Sequence, residues 1–508
     1  MNKVRTKYPV VDVFAGPGGL GEGFSLALGG RAEPCFQTVL SFEREEFAHR
    51  TLFLRHFLRH FPNNEFPEEY YRYLKGDIVL DDLYRRYQNE FHKARQSALK
   101  LSIEQKNHKQ VSQIIRQRIA GQKKWVLVGG PPCQAYSLAG RSRMMGDPDF
   151  EQDERHFLYR EYLEIIIKHQ PPVFVMENVK GLLSAKVKDE PIIRRILSDL
   201  SNPGSARGKN LNGLGYQLFP LTEQIATIDE IDPRMFVVKA EEYGVPQARH
   251  RIFIIGIRND LHVRPRQLRR HAPPTVHHVI GNLPKIRSGL SKGNDSWQNW
   301  LHAIDGFSGS GLGKQLNGHH HANVNGLKYP ECRISMKYPG KCKRSHPALD
   351  ILFDSRLNTL IGHESREHMA SDLRRYMFAS MYAQRNRRSP QLRDFPTLLL
   401  PAHRNVSSSL SNLPFPDRFR VQLPNQVATT ITSHICKDGH YFIHYDPAQC
   451  RSLTVREAAR LQTFPDNYSF QGTRTARYHQ VGNAVPPYLA RQIAEIIAEV
   501  LDAVPASD

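Results

Sequence analysis

The sequence is poor in cysteine, in tryptophan and in long apolar runs. It has 6 cysteines and 3 tryptophans among 508 residues, and the cysteines have no paired spacing. This argues against a disulfide scaffold and favours a reducing compartment. No stretch approaches the roughly 18 apolar residues that a membrane span needs, and no apolar signal core follows the basic N-terminus. We therefore expect a cytoplasmic protein with no membrane partner.

Acidic residues are also scarce. Asp and Glu total 50 against 70 Lys and Arg, which gives a net charge of +20. Such an excess predicts a polyanionic partner, most often nucleic acid; a basic surface that serves only solubility is the alternative. The segment 81–124 carries 11 basic against 4 acidic residues, and Arg374 to Arg393 contains six arginines and no acid.

Glycine is concentrated after the first predicted strand. The apolar run Val10 to Phe14 is followed by Ala15-Gly16-Pro17-Gly18-Gly19 and then by a helix-compatible segment. Strand, glycine turn and helix is how a doubly wound fold opens a nucleotide pocket. The spacing is not the dinucleotide fingerprint, and no Lys-Ser/Thr follows as in a phosphate loop, so phosphate binding is not favoured.

Two acids are predicted to end the next strands. Glu43 follows the apolar run Val39 to Phe42 and could accept both hydroxyls of a ribose, although a charge at a helix N-terminus is the alternative. Asp77, with Ile78, is predicted to end a third strand at 75–78. The absence of Gly and Pro from 77 to 120 predicts one or two long helices, inserted between the third and fourth strands at about 78–122.

The strongest candidate for chemistry is Cys133. A buried strand, Trp125 to Val128, is followed by Gly129-Gly130-Pro131-Pro132, which ends the strand and stiffens the next residues. A thiol on such a loop is a candidate nucleophile, and an inert buried cysteine is the alternative. The polar residues 134–150 are predicted to form a mobile loop.

Further polar groups adjoin later predicted strands. Glu177 follows the buried run Val173 to Met176, and Arg249 and Arg251 precede the strand Ile252 to Gly256. Two residues apart in a strand, both guanidiniums would lie on one face.

The second half of the chain has a different pattern. From about 259 to 445 the apolar runs are short, which predicts a second, irregular domain. His319 to His321 with Cys332 and Cys342 match no zinc-finger or ribbon spacing, so no metal is expected. Towards the C-terminus we predict an amphipathic helix at 451–462 with a Thr454/Glu457 capping box. A turn at 480–487 and a final helix with one buried face follow.

Six motifs occur together in a fixed order. They are Asp12-Val13-Phe14-Ala15-Gly16-x-Gly18-Gly19, Pro131-Pro132-Cys133-Gln134, Glu177-Asn178-Val179, Gln247-x-Arg249-x-Arg251, Arg456-Glu457-Ala458-x-Arg460-Leu461-Gln462 and Gln480-x-Gly482-Asn483. The set resembles the cytosine-5 DNA methyltransferases, and above all the bacterial single-module members of restriction–modification systems. The first motif begins almost at the N-terminus, so no regulatory domain is expected before it.

The resemblance implies an α/β fold: a doubly wound, Rossmann-like methyltransferase sheet with an inserted, smaller, irregular target-recognition domain. The expected divisions are 1–258 for the catalytic domain, 259–444 for target recognition and 445–508 for a segment that completes the catalytic domain. The implied activity is transfer of a methyl group to carbon 5 of a flipped cytosine in duplex DNA. The implied donor is S-adenosyl-L-methionine, with S-adenosyl-L-homocysteine as product. A monomer is expected, with a possible functional link to a restriction endonuclease.

The resemblance also implies roles for individual residues. Cys133 would attack carbon 6, Glu177 would hold ring nitrogen 3 and the exocyclic amine, and Arg251 with Arg249 would hold the carbonyl oxygen or a flanking phosphate. The implied cofactor-binding residues are Phe14, Ala15, Gly16, Gly18, Gly19, Glu43, Asp77, Ile78, Pro132, Asn483 and Val485. The implied substrate-binding residues are Gln134, Ser137, Asn178 and Gln247. Arg44 stands where the family often has an aromatic residue, which leaves the stacking partner of the adenine open.

Three other functions are alternatives. The first is an RNA cytosine methyltransferase of the same fold, but the tRNA-methylating members of that group usually have a short second domain. A DNA-binding protein without catalysis is disfavoured by the intact Cys133, Glu177 and Arg251. An amino-group methyltransferase would carry an Asp/Asn-Pro-Pro-aromatic motif without a cysteine.

Overall fold

A mixed β-sheet of eight strands forms the centre of the protein. The computed structural model describes residues 7–29, 33–62, 65–132, 158–187, 190–209, 211, 213–224, 232–305, 327–341, 345–401 and 415–505. The strands are β1 Tyr8–Val13, β2 Phe36–Glu43, β3 Ala98–Lys100, β4 Val126–Gly129, β5 Val173–Val179, β6 Lys186–Val187, β7 Glu190–Pro191, β8 Tyr216–Phe219, β9 Val237–Lys239, β10 Gln247–Ala248, β11 His250–Arg258, β12 Gly289–Leu290, β13 Glu367–His368 and β14 Ala428–Thr429.

Helices cover both faces of this sheet and build the second half of the chain. They are α1 Gly19–Leu26, α2 Glu46–Arg59, α3 Glu68–Lys75, α4 Leu80–Arg86, α5 Gln88–Ser97, α6 His108–Ile119, α7 Leu158–His169, α8 Ile192–Ser201, α9 Val276–Ile280, α10 Trp297–Asp305, α11 Pro347–Asp350, α12 Ala370–Asn386, α13 Val455–Leu461, α14 Arg474–Asn483 and α15 Pro487–Ala503.

The order of the strands creates a crevice between β1 and β4. The sheet runs β3-β2-β1-β4-β5-β11-β8, with β9 also paired to β11. Strands β1 to β5 are parallel, whereas β11 is antiparallel to β5, β8 and β9. The chain leaves β1 towards β2 on one side and returns to β4 on the other, and ligands bind at such a switch point. The α/β prediction is confirmed, with a mixed rather than an all-parallel sheet.

Apolar cores lie on both faces. On one face, Leu20 and Phe24 of α1 pack with Ile493 and Ile497 of α15, which confirms the predicted buried face of the last helix. On the other face, α6, α7 and α8 pack on the sheet.

The predicted third strand at 75–78 is wrong. Helix α3 ends there, because Gly76 adopts the left-handed conformation (φ 90°) and closes the helix. The third strand is β3, which pairs in parallel with β2. Within the predicted insertion at 78–122, α4 and α5 therefore lie between the second and third strands, and α6 lies between the third and fourth strands as predicted.

The second half of the chain has a core of its own. Trp300 of α10 packs with Tyr376 and Phe378 of α12 and with Phe419. Strand β14 nevertheless pairs with β10 of the first half. The predicted divisions at 258/259 and 444/445 stay predictions.

The segment 451–462 differs from its predicted amphipathic form, because every residue of α13 is buried. The predicted capping box between Thr454 and Glu457 is present. Arg451 donates two hydrogen bonds to the carboxylate of Glu457, at 2.6 and 2.7 Å. Arg460 pairs with Asp466 in the same way. The charges that suggested an exposed face are therefore neutralised inside the protein.

We predict that Glu457→Gln strongly destabilises the protein. Burial alone would raise the pKa of Glu457, but the Arg451 guanidinium holds it well below its usual range. Removing one partner leaves the other charge buried without compensation, which costs about 3–5 kcal/mol. Thermal unfolding would show it as a lowered midpoint. Glu46→Gln, which removes an exposed ion pair with Arg50, is the control; an equal midpoint for both variants would contradict the prediction.

Candidate active site

The polar residues predicted at strand ends meet at one edge of the sheet. Strands β1, β2, β4 and β5 run parallel, so their carboxyl ends coincide there. Phe14 follows β1, Glu43 ends β2, Gly130 follows β4, and Glu177 lies near the end of β5. These are distant in sequence, and the parallel sheet brings them to one crevice.

A tight glycine turn forms one wall of this crevice. Phe14, Gly16 and Gly18 all have positive φ, at 57°, 58° and 97°, and the left-handed conformation is uncommon for a residue such as Phe14. The turn is tied to β2 by hydrogen bonds from Ala15 N–H to the carbonyl oxygen of Phe42 at 3.0 Å and from Gly16 N–H to Glu43 Oε2 at 2.8 Å. Phe14, Ala15 and Gly16 remain partly exposed, so the turn presents backbone to the crevice.

Glu43 keeps capacity for a ligand. Its two carboxylate oxygens accept from the N–H groups of Gly16 and Glu45, at 2.8 and 2.7 Å. An ionised carboxylate offers about four acceptor sites. The side chain is only partly buried. It can therefore orient the turn and accept hydroxyl groups from a bound molecule.

The C-terminal segment closes the same wall. A Cβ on Gly19 would lie 2.3 Å from the carbonyl oxygen of Val485, so the backbones meet at a distance that only glycine permits. Tyr468 donates a hydrogen bond from its hydroxyl to the carbonyl oxygen of Pro17. Asn483 is exposed beside this contact, at the end of α14. The prediction of a turn at 480–487 needs correction, because residues 480–483 belong to that helix.

Glu177 and Arg251 form an ion pair across two strands. Arg251 Nε lies 3.3 Å from Glu177 Oε1, and the two side chains are 16% and 14% exposed. Burial raises the pKa of Glu177, although Arg251 and then Arg249 oppose the shift. A carboxyl group with a raised pKa holds its proton closer to neutral pH, which suits a proton donor.

The loop after β4 is fitted closely to this pair. A Cβ on Gly130 would lie 2.9 Å from Glu177 Oε2, so glycine lets the carboxylate approach the loop. Asn178 Nδ2 donates to the carbonyl oxygen of Pro131 at 3.3 Å, and Asn178 is 3% exposed. Asn178 thus fixes the loop, and a direct substrate contact is not what its placement favours. Pro132 is partly exposed at the crevice. Cys133, Gln134 and Ser137 lie outside the described residues.

Gln247 and Arg249 are hydrogen-bonded inside the protein. Gln247 is fully buried, and Arg249 is 2% exposed. Arg249 Nη1 donates to the carbonyl oxygens of Ile431 and Gly482, at 2.8 and 3.2 Å. Arg249 lies between β10 and β11, where the ladder is interrupted, and its guanidinium, like that of Arg251, lowers the pKa of Glu177 against the effect of burial. The predicted contacts of Gln247 and Arg249 with substrate stay predictions, which the burial of both side chains does not favour.

Asp77 and Ile78 also lie elsewhere. Asp77 is an exposed group beside Lys75, with 3.6 Å between Lys75 Nζ and its Oδ2. Ile78 packs in the core of α2 to α5. The residues that follow the third strand are Leu101 to Ile103, so Asp77 and Ile78 lack the placement on which their cofactor role depended.

Three residues of the site region had no role in the sequence analysis. Burial raises the pKa of Asp12, beneath the glycine turn, to about 7. Tyr468 reaches the turn from the far end of the chain, and Gln462 holds the end of α14 through a bond from its Nε2 to the carbonyl oxygen of Val481 at 2.6 Å. Asp12 and Gln462 belong to the six motifs, so their positions in the sequence could have indicated a place near the site. Tyr468 belongs to none of the motifs, and nothing in the sequence indicated its contact with the glycine turn.

The described part of the chain contains no group of three or more His, Cys, Asp or Glu side chains placed to hold a metal ion. Its helices include none that is both long and apolar enough to cross a membrane.

Comparisons with known proteins give matches to one family. The family described as C-5 cytosine-specific DNA methylase matches residues 83–499. The type II methyltransferase M.Bpa9945I of Bacillus paralicheniformis is 30% identical, over 97% of this chain and 99% of its own. The DNA (cytosine-5-)-methyltransferase M.ApeKI of Aeropyrum pernix is 27% identical, over 75% of this chain and 82% of its own.

A solved structure shares the fold. It is described as a DNA modification methyltransferase encoded within an E. coli prophage, and it covers 98% of this chain and 100% of its own. The TM-score is 0.51 and the sequence identity 20%. At that identity the likeness bears on the fold alone.

We predict that Arg251→Gln raises the pKa of Glu177 further. Loss of the cation removes the attraction that opposes burial, and an opposite charge at this distance changes a pKa by about 1–3 pH units. Carbon-13 NMR titration of carboxyl-labelled glutamate would measure it, with Glu177→Gln assigning the signal. Arg258 lies on the same strand but pairs with Asp260. The control variant Arg258→Gln should therefore leave the titration of Glu177 unchanged. A Glu177 pKa that falls in Arg251→Gln would refute the ion-pair geometry.

Proposed function

The chain belongs to the C-5 cytosine-specific DNA methylases, and we propose that Cys133, Glu177 and Arg251 carry out its methyl transfer to a flipped cytosine in duplex DNA. The observation that carries this assignment is the partly buried Glu177–Arg251 pair, which lies beside the loop leading to Cys133. The pair offers a proton and a cation to one side of a planar base.

Carbon 5 of cytosine is nearly inert towards a methyl donor, so the ring must first be activated. The Cys133 thiolate forms a bond to carbon 6, and electron density moves towards ring nitrogen 3. Glu177 gives its proton to that nitrogen as charge develops. Its raised pKa favours this step, because the protonated carboxyl is retained towards neutral pH. Carbon 5 is then an enamine carbon and can accept a methyl group.

The remaining steps restore the ring. A base, which we assign to water, removes the proton from carbon 5, and the bond between carbon 6 and Cys133 breaks to release thiolate. The proton on ring nitrogen 3 returns to the Glu177 carboxylate, so that neutral 5-methylcytosine leaves. Arg251 donates to the carbonyl oxygen at carbon 2 and keeps Glu177 in place. A cation here also favours the thiolate form of a nearby cysteine.

The donor proposed is S-adenosyl-L-methionine, which supplies an electrophilic methyl group. The residues at the crevice fit it. The positive-φ turn at Phe14, Gly16 and Gly18 presents backbone to its methionine end, and Glu43 has acceptor sites for the ribose hydroxyls. Gly19, Pro132, Asn483 and Val485 complete the wall.

DNA is the partner on which enzymes of this family act. A cytosine inside a duplex is out of reach, so the base must leave the stack, at a cost of a few kcal/mol. We propose that the basic second domain reads the target sequence, and that the enzyme works as a cytoplasmic monomer. Its type II relatives support a functional link to a restriction endonuclease.

Bisulfite sequencing of DNA from cells that express this chain tests the function. We expect unconverted cytosines at one sequence context, and none in cells that carry the empty vector. The same readout gives the recognition sequence. Methylation of tRNA with fully converted duplex DNA would refute the DNA assignment.

We predict that Cys133→Ser abolishes methyl transfer and retains DNA binding. The wild-type enzyme should also form a covalent complex with a duplex that contains 5-fluorocytosine, because fluorine cannot leave carbon 5 as a proton does. Denaturing electrophoresis detects that complex, and Cys133→Ser should lack it. Cys332→Ser, which alters an exposed cysteine away from the crevice, is the control. Undiminished turnover by Cys133→Ser would rule out the covalent mechanism.

A further inference from the structure

A buried hydrogen-bonded cluster joins three segments that are far apart in the chain. It consists of Gln247, Arg249 and Gln462, which we call the linking cluster; the three are 0%, 2% and 0% exposed. Gln247 Nε2 donates to Gln462 Oε1 at 2.7 Å and to the carbonyl oxygen of Leu461 at 3.0 Å. Gln247 Oε1 accepts from Ile431 N–H at 3.0 Å.

One side of the cluster holds the end of α14. Gln462 Nε2 donates to the carbonyl oxygens of Val481 and Ala484, at 2.6 and 3.4 Å. Arg249 Nη1 donates to that of Gly482 at 3.2 Å. The last carbonyl groups of a helix have no partners within it, so these side chains satisfy them. The residues held in this way, Val481, Gly482 and Ala484, flank Asn483 and Val485, which belong to the proposed binding site of the methyl donor.

The other side of the cluster leads to the ion pair. Gln247 and Arg249 immediately precede Arg251 along the chain, and Arg251 meets Glu177. Arg249 also bonds the carbonyl oxygen of Ile431 at 2.8 Å, just after β14. Gly482 is packed so closely on this segment that a Cβ there would lie 2.3 Å from Ser433 N. The end of α14 and the strand of Arg251 thus share one set of buried bonds.

Buried polar bonds of this kind resist independent movement. Removing one partner leaves the other without compensation away from water, at about 1–3 kcal/mol. A shift of the α14 end would therefore be passed to β10 and β11, and a shift of those strands would be passed back. The end of α14 and the strands β10 and β11 are therefore expected to move together.

We propose that the linking cluster consists of positioning residues that couple binding of the methyl donor to placement of the Glu177–Arg251 pair. The proposal rests on the proposed function, since it assumes that Asn483 and Val485 contact the methyl donor and that Glu177 and Arg251 contact the flipped cytosine. Donor binding orders the end of α14, the cluster transmits that order to Arg251, and a bound base strengthens donor binding in return. Coupling between two sites is reciprocal and is typically about 5–150-fold.

The test compares two buried glutamines. Gln462→Met removes the central amide and keeps the side-chain length. Gln449→Met is the matched control, because Gln449 is 3% exposed and its Oε1 accepts from Ile286 N–H and Arg451, with no partner in the linking cluster. Both changes should lower the thermal unfolding midpoint. Only Gln462→Met should weaken binding of S-adenosyl-L-homocysteine, by about tenfold, as measured by calorimetry without DNA.

Coupling is measured by repeating the calorimetry with duplex DNA that carries the sequence found by bisulfite sequencing. In the wild-type protein and in Gln449→Met, DNA should tighten binding of S-adenosyl-L-homocysteine, and in Gln462→Met this gain should be lost. Equal affinities and equal gains in the two variants would overturn the proposal. If Gln462→Met fails to fold, Arg249→Met serves in its place, since a thioether cannot donate to either carbonyl; wild-type affinity and gain in that variant would also overturn the proposal.

Different results contradict the proposed function and the coupling. A wild-type protein that neither binds S-adenosyl-L-homocysteine nor methylates DNA contradicts the proposed function. A wild-type protein that does both, together with a Gln462→Met variant that matches Gln449→Met, contradicts the coupling alone.

Discussion

The antiparallel pairing of β11 with β5 is the constraint on which the site depends. It places Arg251 opposite Val179 and Phe253 opposite Glu177, so an arginine and a glutamate 74 positions apart share one end of two neighbouring strands. A further parallel strand in that position would have its amino end at the opposite edge of the sheet. The single reversal of direction gives Glu177 its cation, and the surrounding apolar strands give it the burial that raises its pKa.

The interior of this protein contains many arginines. Arg249, Arg451, Arg456 and Arg460 are each 2% exposed or less, and each donates to backbone carbonyls or carboxylates. Arginine suits such places because its guanidinium presents five donors in a fixed plane. Glu457 and Asp466 are buried with Arg451 and Arg460, so these two pairs leave the net charge of +20 unchanged and serve the interior instead of DNA.

The sequence predicted those parts of the structure that follow from local pattern. The first strand and glycine turn, Glu177 at a strand end, the capping box at Thr454 and the buried face of α15 needed only periodicity and motif order. Predictions failed where long-range packing decides. The segment 75–78 with its acid, Asp77, predicts a strand end, but Gly76 ends a helix there. The linking cluster could not be anticipated, since hydrophobicity cannot show that Gln247 and Gln462 satisfy each other inside the core.

The packing of α1 against α15 has a consequence for the order of folding. The first helix buries Leu20 and Phe24 against Ile493 and Ile497, and Tyr8 is hydrogen-bonded to Asp502, 494 positions away. Contacts of such sequence separation form late, because the intervening chain must first be brought together. During synthesis the apolar side of α1 therefore stays uncovered at least until residues 487–503 have been added. Until then the wall that Gly19 forms with Val485 is also incomplete, so the crevice cannot be complete before these residues are in place.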